Sequence, residues 1–120
     1  MIVFDTYAWV EYFLGSEKGK VPQKYVNSEE EIIVSSICLA EIKVKYEREK
    51  KDPTKWIKFV LSRCVVADVS LDIAMLAAQF RNQHNLYLID AIMYATASLY
   101  GCDLLTGDKH FSKLENVEFL

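Results

Sequence analysis

Two kinds of hydrophobic pattern alternate along the chain. Short unbroken apolar runs are typical of strands buried on both faces of a parallel sheet, and longer segments with apolar residues every three or four positions are typical of amphipathic helices. The runs predict strands over 2–4, 31–34, 64–69 and 104–106, with 117–119 as a candidate fifth. The longer segments predict helices over 7–14, 21–27, about 37–50, 54–63, about 70–84, and around Asp90 as far as Gly101.

Local signals agree with these boundaries. Gly15 ends the first helix, Ser35 or Ser36 caps the third, and Asn85 closes the fifth. Strands that alternate with helices predict an α/β fold, in which helices cover both faces of a central parallel sheet of four to five strands. At 120 residues, we expect a single domain over 1–120.

Composition narrows the function classes. The net charge of −3 excludes a polycation that coats nucleic acid, so any such contact must be local. Three cysteines without a C-x-x-C pair argue against a zinc ribbon or a disulfide framework, and fit a reducing cytoplasm. We expect no signal peptide, because the N-terminus lacks a basic leader, and no membrane span, because no apolar run approaches about 18 residues.

Four acidic residues stand out by their positions. Asp5 and Asp108 directly follow predicted strands, and ligands of parallel sheets bind at this edge. Glu41 and Asp90 lie on helices with apolar neighbours. Each acid also has an ordinary explanation: a helix cap for Asp5, an ion pair with Lys45 for Glu41, use of the helix dipole for Asp90, and a turn or cap for Asp108.

Asp90 is the most informative of the four. Its helical neighbours at three and four positions carry no positive charge; they are Leu86, Tyr87, Met93 and Tyr94. An unpaired carboxylate in such surroundings is costly unless it takes up a proton or binds a cation. Asp90 therefore favours a metal site over a surface position.

Taken together, the four carboxylates predict a site for Mg²⁺ or Mn²⁺, since hard cations prefer oxygen ligands. Such ions activate water and neutralise a phosphate, so the pattern favours phosphodiester cleavage without a serine, cysteine or histidine nucleophile. Gly107 would let the backbone turn toward a ligand. Thr6 and Thr106 could bond a carboxylate or a metal-bound water, or could satisfy backbone groups at the strand ends.

Basic residues cluster between the second and third predicted strands. The cluster is Lys43, Lys45, Arg48, Lys50, Lys51, Lys55, Lys58 and Arg63. It is either a solvated helix surface or a surface that follows a phosphate backbone. Lys109 and His110, next to Asp108, are better placed to contact a phosphate.

Two other protein classes carry carboxylate sites at the edge of a parallel sheet, and the sequence does not match the motif of either. A haloacid-dehalogenase-like phosphatase needs an acid two residues after Asp5, where Tyr7 stands. A response-regulator receiver needs an acidic pair to accompany an acid such as Asp68, and Asp5 has no acidic neighbour. Dinucleotide-binding and Walker glycine patterns are absent.

Three segments resemble the PIN-domain family, most nearly its VapC-type toxins: IVFDTYAWVEYF, SSICLAEIKV and LIDAIMYATASLYGCDLLTGDKHF. The resemblance implies a three-layer α/β/α sandwich and a metal-dependent ribonuclease. The motif acids of the family fall on Asp5, Glu41, Asp90 and Asp108, and its hydroxyl positions fall on Thr6 and Thr106.

Proteins of this type are usually homodimers held inactive by a small antitoxin. The resemblance thus implies an endoribonuclease that acts as the toxin of a type II toxin–antitoxin pair. Two alternatives remain open: an RNA-processing nuclease without an antitoxin, and a module that binds RNA or protein without cutting.

Overall fold

The computed structural model describes all residues from Met1 to Leu120. The strands are β1 Ile2–Phe4, β2 Ile32–Ser35, β3 Cys64–Ala67, β4 Asp103–Thr106 and β5 Val117–Phe119. The α-helices are α1 Thr6–Leu14, α2 Lys20–Val26, α3 Ser36–Arg48, α4 Thr54–Arg63, α5 Leu71–His84 and α6 Leu88–Tyr100, and a 3-10 helix spans Lys109–Phe111.

All strand pairs are parallel, in the order β3-β2-β1-β4-β5. Helices flank this sheet, which confirms the predicted three-layer α/β/α sandwich. Because parallel strands point the same way, the residues after β1 and β4 emerge at the same edge. β1 and β4 are direct neighbours, with Phe4 opposite Leu105, so Asp5 and Asp108 approach each other.

Burial follows the position of each strand in the sheet. All side chains of β1 and β2 are buried, as their unbroken apolar runs predict. β3 is an edge strand, and its Val65 and Val66 are exposed. The prediction extended β3 to residue 69, which is wrong: pairing stops at Ser35–Ala67, because β2 ends where Ser35 caps α3.

The helix ends carry the expected signals. Ser35, not Ser36, is the cap of α3, and its hydroxyl accepts the N–H of Ile37. Gly15, Asn85 and Gly101 end their helices in the left-handed conformation. These ends place Asp5 immediately before α1 and Asp90 in the first turn of α6.

One helix, α3, has two contrasting faces that matter for the site. Cys38, Ile42 and Tyr46 are buried in the core, and the ring of Tyr46 stacks on Trp56 of α4 with 4.0 Å between ring centroids. This packing fixes α3 against the sheet. The adjacent face, with half-buried Glu41 and exposed Arg48, remains accessible.

No helix has the length and hydrophobicity that crossing a membrane requires.

Candidate active site

The four predicted acids line one cavity of about 500 Å³ at the carboxyl edge of the sheet. Asp5 enters from β1, Glu41 from α3, Asp90 from α6, and Asp108 from the loop after β4. The remaining wall consists of Thr6, Tyr7, Met93, Gly107, Lys109 and His110. Residues more than 100 positions apart in the chain therefore share this space.

Asp5 is the most deeply placed acid, with 6% of its surface exposed. One carboxylate oxygen caps α1 by accepting the N–H of Ala8 at 2.8 Å, and the other accepts the hydroxyl of Thr106. Burial raises the pKa of Asp5 to about 6, with further contributions from the charges of Asp90 and Asp108, although the two hydrogen bonds act in the opposite direction. Asp5 is thus both a helix cap and a cavity acid.

Glu41 is held by a hydroxyl from another element. The Oγ1 atom of Thr6 donates to Oε1 of Glu41 at 2.6 Å. Lys45, its alternative partner in the sequence, pairs with Glu49 instead. The alternative explanation of Glu41 as half of a surface ion pair with Lys45 is therefore wrong.

Asp90 lies half-buried in the first turn of α6, where the helix dipole favours negative charge. Burial nevertheless raises the pKa of Asp90 to about 6, and the charges of Asp108 and Glu41 add to this effect. No lysine or arginine forms an ion pair with Asp90, as its apolar helical neighbours predicted.

Asp108 organises the loop after β4. Its backbone N–H donates to the Thr106 hydroxyl at 3.0 Å, and its Oδ1 accepts the His110 N–H at 2.9 Å. The Nδ1 atom of His110 also lies 2.6 Å from this oxygen. Asp108 thus caps the short 3-10 helix while it faces the cavity, and Lys109 and His110 stand beside it on the cavity wall.

Gly107 matters for a different reason from the one predicted. Its φ is not positive, so no unusual turn demands glycine. A Cβ at this position would instead lie 2.2 Å from Cε1 of Tyr7. Tyr7 is a cavity residue that sequence reasoning missed, and only its position after Asp5 and Thr6 could have suggested it.

The donors of the cavity suit a hard divalent cation. Carboxylate and hydroxyl oxygens surround it, and no basic side chain pairs with Asp5, Glu41 or Asp90. However, no group of three or more Asp, Glu, His or Cys side chains is arranged to hold a metal ion. The four carboxylates therefore line one cavity without forming a ready-made cluster of ligands.

Comparisons with known proteins agree with this geometry. The model of the PIN domain family matches residues 2–117. A toxin–antitoxin complex from Klebsiella pneumoniae has a chain that superposes with a TM-score of 0.84 at 26% identity, covering 98% of this chain and 96% of that one. No curated protein sequence gives a significant match.

Two further structures share the fold at lower identity. VapBC2 from Rickettsia felis, bound to a fragment of promoter DNA, gives a TM-score of 0.81 at 20% identity, covering 100% of this chain and 99% of that one. The sarcin–ricin loop cleaving toxin VapC20 of Mycobacterium tuberculosis gives 0.80 at 19% identity, covering 98% of each chain. With its family model matched over nearly the whole length and the fold reproduced, this chain belongs to the PIN domain family.

Proposed function

We propose that this protein is a metal-dependent endoribonuclease and the toxin of a type II toxin–antitoxin pair. The observation that carries the proposal is the meeting of four carboxylates, from four separate elements, in one cavity where Asp5, Glu41 and Asp90 have no basic partner. Burial and neighbouring acids raise the pKa of two of these acids, Asp5 and Asp90, to about 6, as expected for clustered carboxylates that lack a counter-charge until a cation binds.

Each residue has a distinct proposed task. Asp5 and Asp108 would coordinate Mg²⁺ or Mn²⁺, and Glu41 and Asp90 would bind directly or through water. When bound, the metal activates water and offsets the negative charge of the attacked phosphate. Thr106 and Thr6 orient the carboxylates of Asp5 and Glu41 through their hydroxyl groups.

The rim of the cavity supplies the proposed contacts to substrate. Lys109 and His110 follow Asp108 on the wall, where a cation can neutralise a phosphate next to the scissile bond. The choice of RNA as substrate is supported by the similar fold of VapC20, a toxin that cleaves the sarcin–ricin loop.

The proposal includes a protein partner. The chain from Klebsiella pneumoniae occurs in a toxin–antitoxin complex, which supports a small antitoxin as partner here. A homodimer of one-domain chains in the cytoplasm completes the proposal. The single cluster of 24 buried core residues supports one domain, and the three free cysteines fit a reducing compartment.

The test is RNA cleavage in Mn²⁺ by wild type, Asp5→Asn and Asp68→Asn. Loss of the Asp5 charge should lower the rate by at least about 100-fold, because supporting groups of a metal site alone are worth 10–100-fold. Asp68 is an exposed acid outside the cavity, so its variant should cleave like wild type. Equal rates for all three proteins would reject the assignment. RNA binding without any cleavage would instead favour a binding module.

A further inference from the structure

The cavity lined by the four acids is called the acidic cavity below. A second cavity, of about 570 Å³, adjoins it between α3 and the start of α6. The two share Thr6 and Glu41 as lining residues. The walls of the second are largely apolar, including Val44 and Ile89, and its far end carries Lys45, Arg48 and Glu49. We call this second cavity the α3 groove.

The α3 groove runs along one face of α3, as the spacing of its residues in the helix shows. Ile37, Glu41, Val44 and Arg48 follow one another at spacings of four, three and four residues, so they lie on one face of α3. Seven residues separate Glu41 from Arg48, which is about two helical turns or about 10 Å along the axis. One face of α3 therefore leads from the acidic cavity to a basic end.

Few of the eight clustered basic residues are available to bind a phosphate in the α3 groove. Arg63 donates to the backbone carbonyls of four residues, and Lys43 pairs with Glu47. Lys45 and Lys51 both contact Glu49, which neutralises that acid. Arg48 lines the α3 groove with no ion pair and no side-chain hydrogen bond, so it supplies an uncompensated positive charge there.

We propose that Arg48 binds a backbone phosphate of the RNA strand whose scissile bond lies in the acidic cavity, and so positions that strand along the α3 groove. This inference rests on the proposed function. The guanidinium group presents a planar fork of donors that matches phosphate oxygens. Val44 and Ile89 would line the path of the riboses and bases between the two ends.

Binding of a short fluorescent oligoribonucleotide tests the proposal without relying on turnover. The measurement uses Asp5→Asn protein in Mg²⁺, combined with Arg48→Gln, Arg48→Lys or Lys50→Gln. Lys50 is the matched control, because it is exposed, forms no ion pair and lies outside the α3 groove. Arg48→Gln should weaken binding by about tenfold and reduce the slope of log K against log salt concentration by about 0.7.

The control variants distinguish a failure of the role of Arg48 from a failure of the proposed function. Lys50→Gln should change affinity by less than about twofold, and Arg48→Lys should fall between wild type and Arg48→Gln, because it keeps the charge but loses the fork. Equal effects of Arg48→Gln and Lys50→Gln, in a protein whose wild type cleaves RNA, would overturn the role of Arg48 alone. No cleavage by wild type and no RNA binding would overturn the proposed function as well.

A third outcome would identify a second copy of the chain, and not RNA, as the occupant of the α3 groove. If Arg48→Gln leaves RNA affinity unchanged but shifts the monomer–dimer equilibrium measured by sedimentation, the α3 groove is an interface between copies of the chain and the proposal is wrong.

Discussion

The carboxylates of the acidic cavity differ in how their charges are compensated. Asp5 and Glu41 each accept a hydroxyl hydrogen bond from a threonine, and Asp108 accepts the backbone N–H of His110. No hydroxyl or basic side chain bonds Asp90. The dipole of α6 and the nearby His110 offset the cost of its burial only in part, so its ionisation should oppose folding.

The replacement Asp90→Asn tests whether the charge of Asp90 destabilises the folded protein. Because the folded-state pKa of Asp90 is raised to about 6, the folded protein binds more protons than the unfolded chain between about pH 4 and pH 6, and stability falls as pH rises through that window. Without divalent metal at pH 7.5, Asp90→Asn should therefore be more stable than wild type by about 1 kcal/mol, or about 4 °C in Tm. Near pH 3.5 the two proteins should melt alike.

Asp72→Asn is the control for the helix dipole, since Asp72 occupies the first turn of α5 but is exposed outside the cavity. It should bring no stabilisation. A lower Tm for Asp90→Asn than for wild type at pH 7.5 would contradict the account of an uncompensated charge.

At the scale of elements, one arginine joins α4 to the connection between α2 and β2. Arg63, the last residue of α4, donates from Nε to the carbonyl of Val26 at 3.1 Å. Its terminal nitrogen donates to the carbonyls of Tyr25, Ser28 and Glu30 at 2.9, 3.1 and 2.7 Å. The sequence placed Arg63 in a basic cluster, whereas the structure uses its guanidinium to fix the backbone ahead of β2.

Arg63→Met should lower the free energy of unfolding by about 2 kcal/mol, because several charge-assisted hydrogen bonds are lost while water can reach part of the freed backbone. The measurement is urea denaturation followed by circular dichroism. Lys58→Met removes the same charge from an exposed position of the same helix and should change stability by no more than about 0.5 kcal/mol. If the two variants unfold at the same urea concentration, Arg63 does not have this role.

The strands and their contacts also show which features could be predicted from the sequence and which could not. Short apolar runs revealed β1 and β2, because strands buried on both faces leave almost no polar position; the one exception is Ser35, which ends β2 and caps α3. The end of β3 was missed, since it depends on where its partner β2 stops and not on its own residues. The close approach of Tyr7 to Gly107 was missed for the same reason: the ring of Tyr7 comes from a segment 100 residues earlier.

At the scale of the whole molecule, the sequence predicted the acids and the two threonines that could bond a carboxylate, but not which acid each threonine bonds. Their positions after strands and on apolar helix segments placed them at one edge, and the pairing of β1 with β4 brings Asp5 and Asp108 together. The hydrogen bonds from Thr6 to Glu41 and from Thr106 to Asp5 are long-range contacts that no local pattern encodes. The α3 groove likewise exists only because α6 lies against α3.

Metal binding should stabilise the whole fold. Millimolar Mn²⁺ should raise Tm by several degrees, since a ligand at 100 times its Kd contributes about 2.7 kcal/mol. The gain should shrink below about pH 6, where protons compete for Asp5 and Asp90. Differential scanning fluorimetry measures the Tm. A sample with NaCl at the same ionic strength, in place of Mn²⁺, is the control. An unchanged Tm in Mn²⁺ at pH 7.5 would argue against metal coordination by these acids.

The pairing of β1 with β4 has a consequence for the protein during its own synthesis. Asp5 and Glu41 are synthesised before the opposite wall of the cavity, whose Asp108 follows Asp5 by about a hundred residues. A chain synthesised only as far as α5 lacks Asp90 and Asp108, so under the proposed function it would be inactive. Under the proposed function, nuclease activity would therefore arise only once β4 has paired with β1.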